Sequence, residues 1–121
     1  MKTILIVDDE PFIRELLTDF LSMQGYKVVQ AADGNEGFDK FNKYNPEAAI
    51  LDVEMPGMNG QELSHKIFAV NKNFPVIIIS AFLFKYSKTD FINNGVRAVL
   101  EKPVNLNLIK QNLNEIFENT N

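Results

Sequence analysis

Leu5-Ile6-Val7-Asp8-Asp9-Glu10-Pro11 sets an apolar run directly against three acids and a proline. A run that is apolar at every position, without alternation, is what a strand covered on both faces of a parallel sheet requires. Pro11 suits the first position of a helix, where its missing N–H costs nothing. The stretch therefore reads as a buried strand, an acidic turn and a helix start. The acids need an explanation, because two like charges about 4 Å apart repel by roughly 4 kcal/mol at an effective dielectric near 20. Something must compensate them.

The pattern repeats along the chain. Val28 to Ala31, Ala48 to Leu51 and Val76 to Ile79 are similar runs, and Ala98 to Leu100 is a weaker fifth. Parallel strands need crossovers, and each gap is long enough for a helix. From Pro11 to Gln24, Phe12, Leu16, Leu17, Phe20 and Leu21 recur at helical spacing, and Gly25 suits the stop. The second helix opens on the capping pair Asp33 and Glu36, carries Phe38, Phe41 and Tyr44, and breaks at Asn45-Pro46. Asn59 and Glu62 are spaced the same way ahead of Leu63, Ile67, Phe68 and Val70. Between Phe82 and Asn94 a long loop and a short helix capped by Ser87 are expected. A fifth helix begins at Asn105 and carries Leu106, Ile109, Leu113, Ile116 and Phe117. The layout is α/β, (βα)₅: a doubly wound, five-stranded parallel sheet.

Size and charge narrow the function. At 121 residues, 45% hydrophobic and 23% charged, the chain has the profile of one soluble globular domain. It holds no cysteine, which removes thiolate zinc sites, redox motifs and cysteine nucleophiles, and one histidine, His65, expected to sit in solvent on the third helix. Nothing resembles a signal peptide or a membrane span, so the cytoplasm is the expected location. The net charge of −4, with Lys and Arg scattered singly, leaves no basic stripe to hold a nucleic-acid backbone. Phe12, Phe38, Phe41, Phe68, Phe74, Phe91 and Phe117 are read as core or core-edge residues, and Gly57 and Gly60 as turn residues.

In an open α/β sheet the ligand site lies outside the carboxyl ends of the strands, where the strand order reverses. Asp8 and Asp9 end the first strand, Asp52 the third and Ser80 the fourth, and the fifth runs into Lys102-Pro103. Three carboxylates gathered there make a hard, oxygen-rich cluster of the kind Mg²⁺ takes while keeping several waters. A divalent cation and Lys102 would neutralise the acids, and the cation would polarise a phosphoryl group arriving at one of them.

With these residues in place, VDDE at 7–10, LDVEMPGMNG at 51–60, ISA at 79–81 and EKP at 101–103 resemble the response-regulator receiver family of two-component signalling, over the whole chain. Each motif alone is weak, and the four in order at strand ends are a strong signal. The resemblance implies a flavodoxin-like sheet of order 2-1-3-4-5 and a single receiver domain over residues 1–121. It makes Asp52 the acceptor of a phosphoryl group from a sensor histidine kinase or a histidine phosphotransfer protein. Asp8, Asp9, Asp52 and the backbone carbonyl of Glu54 become the Mg²⁺ ligands. Ser80, Ala81 and Lys102 would hold the phosphoryl oxygens, with Ser80 moving on activation, and the Lys102–Pro103 peptide would be cis. Signalling would leave through the fourth helix, fifth strand and fifth helix to a downstream protein or output domain, and a phosphorylation-dependent homodimer is compatible with this. The activity implied is self-phosphorylation from a donor and self-dephosphorylation, not turnover of a substrate.

Two positions set this chain apart. Where the family often carries an aromatic residue three before its lysine, here stands Val99, so one of Phe82, Phe84 and Tyr86 is expected to report phosphorylation instead. Glu54 and Phe82 fall on the two variable positions that flank the path of the hydrolytic water, and a bulky Phe82 would lengthen the life of the acyl phosphate. The bland reading of those three aromatics is packing under a loop. Among rival functions, a Mg²⁺-dependent aspartyl-nucleophile phosphatase would want an acid two residues after its nucleophile, which Glu54 supplies, and a substrate cap, for which no insertion is long enough. A phosphorylation-independent pseudo-receiver fits poorly with an intact acid triad and lysine. A flavodoxin-like cofactor carrier lacks its phosphate loop.

Overall fold

In the computed structural model, which describes residues 1–81 and 87–118, five strands alternate with five helices. They are β1 (Thr3–Val7), α1 (Pro11–Met23), β2 (Lys27–Ala31), α2 (Gly34–Tyr44), β3 (Ala48–Asp52), α3 (Gly60–Val70), β4 (Val76–Ser80), α4 (Lys88–Asn93), β5 (Ala98–Glu101) and α5 (Leu106–Glu118). The strands form one parallel sheet in the order β2-β1-β3-β4-β5. β1 and β3 lie side by side in register, Val7 opposite Leu51, so Asp8 and Asp52 leave the sheet next to each other. The strand order reverses between these two strands, which puts the acids at the switch point.

Successive side chains of a strand point to opposite faces, and each face is covered by helices. Leu5, Val7, Ala49, Leu51 and Ile78 pack with Phe41, Leu63, Ile67 and Phe91 of α2, α3 and α4. Ile4, Ile6, Ile50, Ile77 and Ile79 pack on the other side with Leu17, Leu21, Ile109 and Leu113 of α1 and α5. This explains the unbroken apolar runs: both registers of each central strand meet a helix layer. β3 and β4 are buried over their whole length, including the terminal Asp52 and Ser80, whereas β5 at the edge is only partly covered at Ala98 and Leu100.

The helix starts follow their caps. The Asp33 carboxylate accepts from Glu36 N–H at 2.8 Å, and Asn59 and Glu62 form a reciprocal capping box. Ser87 caps α4 by accepting from Asp90 N–H, and Asn105 accepts from Leu108 N–H at the head of α5. α1 is the exception: its N-cap, Glu10, makes no side-chain capping bond, and Pro11 follows directly.

Two sequence readings need correction. Phe12 is 72% exposed rather than part of the core. The buried stripe of α1 runs through Leu17 and Leu21 with Ile13 and Phe20 beside it, and Phe12, five residues before Leu17, lies about 140° round the helix from that residue. Gly60 is the first residue of α3 rather than part of a turn, in contrast to Gly57, whose φ of +74° is a left-handed turn conformation. Its role is close approach: a Cβ there would stand 2.3 Å from the Asp52 carbonyl oxygen. α3 therefore presses on the end of β3, and Gly60→Ala should destabilise the chain by about 1–3 kcal/mol in urea unfolding and shift the Asp52 amide resonance. A loss below about 0.5 kcal/mol would mean that this end of β3 yields freely.

Candidate functional site

The end of β1 turns sharply after Val7, and the turn is held by Asp8 itself. One oxygen of its carboxylate accepts from Glu10 N–H at 2.9 Å, and its carbonyl accepts from Arg14 at 2.7 Å. Asp8 is fully buried and Asp9 is exposed. From β3, Asp52 arrives 1% exposed. Lys102, just after β5, reaches across both: its Nζ lies 3.3 Å from Asp8 Oδ2, 3.4 Å from Asp52 Oδ2 and 2.9 Å from Glu10 Oε1. Its own N–H donates to the Ser80 carbonyl at 2.8 Å, tying the ends of β4 and β5 together, and the Lys102–Pro103 peptide is cis.

Among the described residues one ammonium stands among three carboxylates, which leaves them short of positive charge. Burial and the neighbouring Asp8 push the Asp52 carboxyl up from 3.8 to about 7, with Lys102 pulling the other way and Glu54 adding to the rise. Burial also raises Asp8, against the Glu10 N–H bond and the Lys102 charge. Burial alone would depress Lys102, yet its bond to Glu10 and the charges of Asp52 and Asp8 hold it above the ordinary lysine value.

Two buried oxygens, Asp8 Oδ2 and Asp52 Oδ1, accept no hydrogen bond among the described residues; Lys102 stands near Asp8 Oδ2 as a charge, without hydrogen-bond alignment. Buried carboxylate oxygens are seldom left so. Asp8, Asp9, Glu10 and Asp52 each offer a carboxylate oxygen, all within 4.8 Å of one another. Hard oxygen donors, two of them orphaned, fit a small divalent cation such as Mg²⁺.

The fourth strand end brings a contact that sequence reading missed. The Ser80 hydroxyl donates to Glu54 Oε2 at 2.7 Å, and Ala81 N–H donates to Glu54 Oε1 at 2.9 Å. The Glu54 side chain thus bridges to the end of β4. Glu10 was missed as well, and the acidic run it closes was its only signal. Of the aromatic residues expected to tune or report the site, Phe82, Phe84 and Tyr86 lie outside the described residues. Val99 is 9% exposed and packs in the layer under α2, α3 and α4. His65 is exposed.

The raised carboxyls have a measurable consequence. A group protonated more readily in the folded than in the unfolded chain makes the folded state hold an extra proton between pH 4 and 7, so stability falls as pH rises through that window. With divalent ions chelated, the unfolding free energy from urea titrations should decline from about pH 4 to about pH 7 and level off above that, with a slope of up to about 1.4 kcal/mol per pH unit from Asp52. Asp52→Asn should flatten the decline and exceed the wild type at pH 8 by about 1–3 kcal/mol. An unaltered slope in that variant would place the cause elsewhere.

Comparison with known proteins matches this geometry. The family model of the response regulator receiver domain covers residues 4–114. The sensor histidine kinase RcsC of Escherichia coli is 36% identical over 110 residues, 91% of this chain, although the chain spans only 12% of that kinase. The chemotaxis protein CheY of Thermotoga maritima is 30% identical over 95% of this chain and 97% of its own. Among solved structures, the response regulator protein TrrA of Thermotoga maritima, in complex with Mg²⁺ and BeF, superposes with a TM-score of 0.84 at 36% identity, covering 96% of this chain and 99% of that one. No helix among the described residues is long and apolar enough to cross a membrane. A five-stranded parallel sheet of order 2-1-3-4-5, acids at its switch point and a family match over nearly the whole length lead to one conclusion: the chain belongs to the response-regulator receiver family.

Proposed function

We propose that residues 1–121 form a single, phosphorylation-activated receiver domain whose acceptor is Asp52. The observation that carries this reading is the pair of buried carboxylates, Asp8 and Asp52, which share the Lys102 ammonium among the described residues while Asp52 Oδ1 accepts no hydrogen bond there. An arrangement that keeps a carboxylate buried, undercompensated and near a cation is unfavourable as architecture and suited to accepting an electrophile.

In the proposed reaction an Asp52 carboxylate oxygen attacks the phosphorus of a phosphohistidine on a kinase or phosphotransfer protein. The new O–P bond forms as the P–N bond breaks, and the electron pair stays on the donor's imidazole nitrogen. Asp8, Asp9, Asp52 and the Glu54 carbonyl would hold Mg²⁺, which would lower the charge of the acid cluster and withdraw electron density from the phosphoryl oxygens. Lys102 swings its charge from the carboxylates to the phosphoryl oxygens, and the Ser80 hydroxyl and Ala81 N–H take the remaining ones. Loss of the signal is attack by water on phosphorus, with Asp52 as the leaving group. The chain turns over no substrate. Its work is a shift between two conformations, read by a downstream protein or output domain at α4, β5 and α5. The cytoplasm is the compartment that suits such a partner.

Beryllofluoride, an acyl-phosphate mimic, tests this with Mg²⁺ and backbone NMR on the wild type and Asp52→Asn. Shifts should spread from Asp52 through Ser80 to α4, β5 and α5, and should vanish in the variant. A wild type unmoved by both reagents would make the chain a phosphorylation-independent interaction module.

A further inference from the structure

The Glu54 carboxylate is placed as a phosphoryl group would be. Its two oxygens take the Ser80 hydroxyl at 2.7 Å and Ala81 N–H at 2.9 Å, the same two donors that the proposed function assigns to phosphoryl oxygens. Ser80 is fully buried, so its hydroxyl has no bulk water to exchange with when that acceptor leaves. Glu54 itself is only partly buried, and its side chain has solvent to move into. Among the described residues it forms no ion pair with a lysine or arginine, and its carboxylate accepts from the two donors of the β4 end.

We propose that Glu54 is a built-in competitor for the phosphoryl seat: its carboxylate engages Ser80 and Ala81 in the unphosphorylated chain and must vacate them before a phosphoryl group on Asp52 can be held. Activation is then an exchange of one anion for another on the same donors, and the departing Glu54 side chain is part of the conformational change. The inference rests on Asp52 being the acceptor. The competition follows from stoichiometry, because one hydroxyl proton and one N–H cannot fully serve a carboxylate and a dianionic phosphoryl group together.

The test is the affinity of the chain for beryllofluoride at fixed, saturating Mg²⁺, followed by NMR in the wild type, Glu54→Ala, Glu54→Gln and Glu54→Asp. All four keep the Glu54 backbone carbonyl. Glu54→Asp keeps the charge and shortens the reach by one methylene, so it separates occupancy of the seat from simple repulsion of an anion. Competition predicts roughly tenfold tighter binding, equal to about 1.4 kcal/mol, in both Glu54→Ala and Glu54→Asp. It also predicts that, without beryllofluoride, the Ala81 amide shifts and exchanges faster in both. Tightening in Glu54→Ala and Glu54→Gln with Glu54→Asp matching the wild type would reduce the effect to charge and overturn the competition. Equal affinities throughout, or an Ala81 amide indifferent to the substitutions, would also overturn it while leaving Asp52 as acceptor. If neither the wild type nor any Glu54 variant binds beryllofluoride, both the inference and the phosphoryl-acceptor reading fall.

Discussion

The structure depends on keeping two buried carboxylates, Asp8 and Asp52, at the ends of adjacent strands under the single ammonium of Lys102. Carboxylates are stripped of water there because β1 and β3 are the inner strands at the reversal of strand order, with helices over both faces. The apolar layers have fixed the backbone so firmly that the acids cannot drift apart to relax their repulsion. The remaining routes are protonation, seen in the rise of Asp52 to about 7, or compensation by a cation. The free energy held in this cluster is therefore set aside by the fold itself, and whatever brings positive charge to it is rewarded.

The parts around the site are unequal in firmness. β3 and β4 are covered from end to end, and Gly60 lets α3 press against the last carbonyl of β3. Toward the β5 edge of the sheet, α4 has six residues, with Phe91 as its buried anchor, and β5 leaves Ala98, Leu100 and Glu101 partly or fully open. Elements with few buried apolar contacts open at lower cost than those in the core. The charge cluster thus joins a rigid wall, formed by β1 and β3, to a softer one that carries Lys102.

How far the sequence discloses this can be judged residue by residue. The strands were readable because burial on both faces demands unbroken apolar runs, and the site because Asp8, Asp52, Ser80 and Lys102 all follow such runs at one end of the sheet. Capping pairs such as Asn59 and Glu62 were readable because their chemistry is local. Phe12 misled because an aromatic residue at the head of an amphipathic helix satisfies a loose periodicity while lying on the wrong side of it. Gly60 misled for a different reason: nothing nearby in sequence says that a carbonyl eight residues earlier will come within 2.3 Å of its missing Cβ. The Glu54 contacts span 26 and 27 residues and depend on the register of two strands, information that no motif carries.

With Val99 at the position where the family often has an aromatic residue, the proposed switch would need another link between the Asp52 site and β5, and the backbone offers one. Ser80 is opposite Glu101 in the register of β4 and β5, and its carbonyl accepts from Lys102 N–H at 2.8 Å. Ser80 thus accepts from the Lys102 amide through its backbone and donates to Glu54 through its hydroxyl. If Ser80 shifts as a whole, backbone included, toward a phosphoryl group on Asp52, the carbonyl that anchors β5 moves with it, while the Lys102 ammonium is drawn to the same charge. Both ends of Lys102 are then pulled by one event. In such a switch no ring needs to turn inward for β5 to respond, and the requirement falls instead on the hydrogen bond from Lys102 N–H to the Ser80 carbonyl.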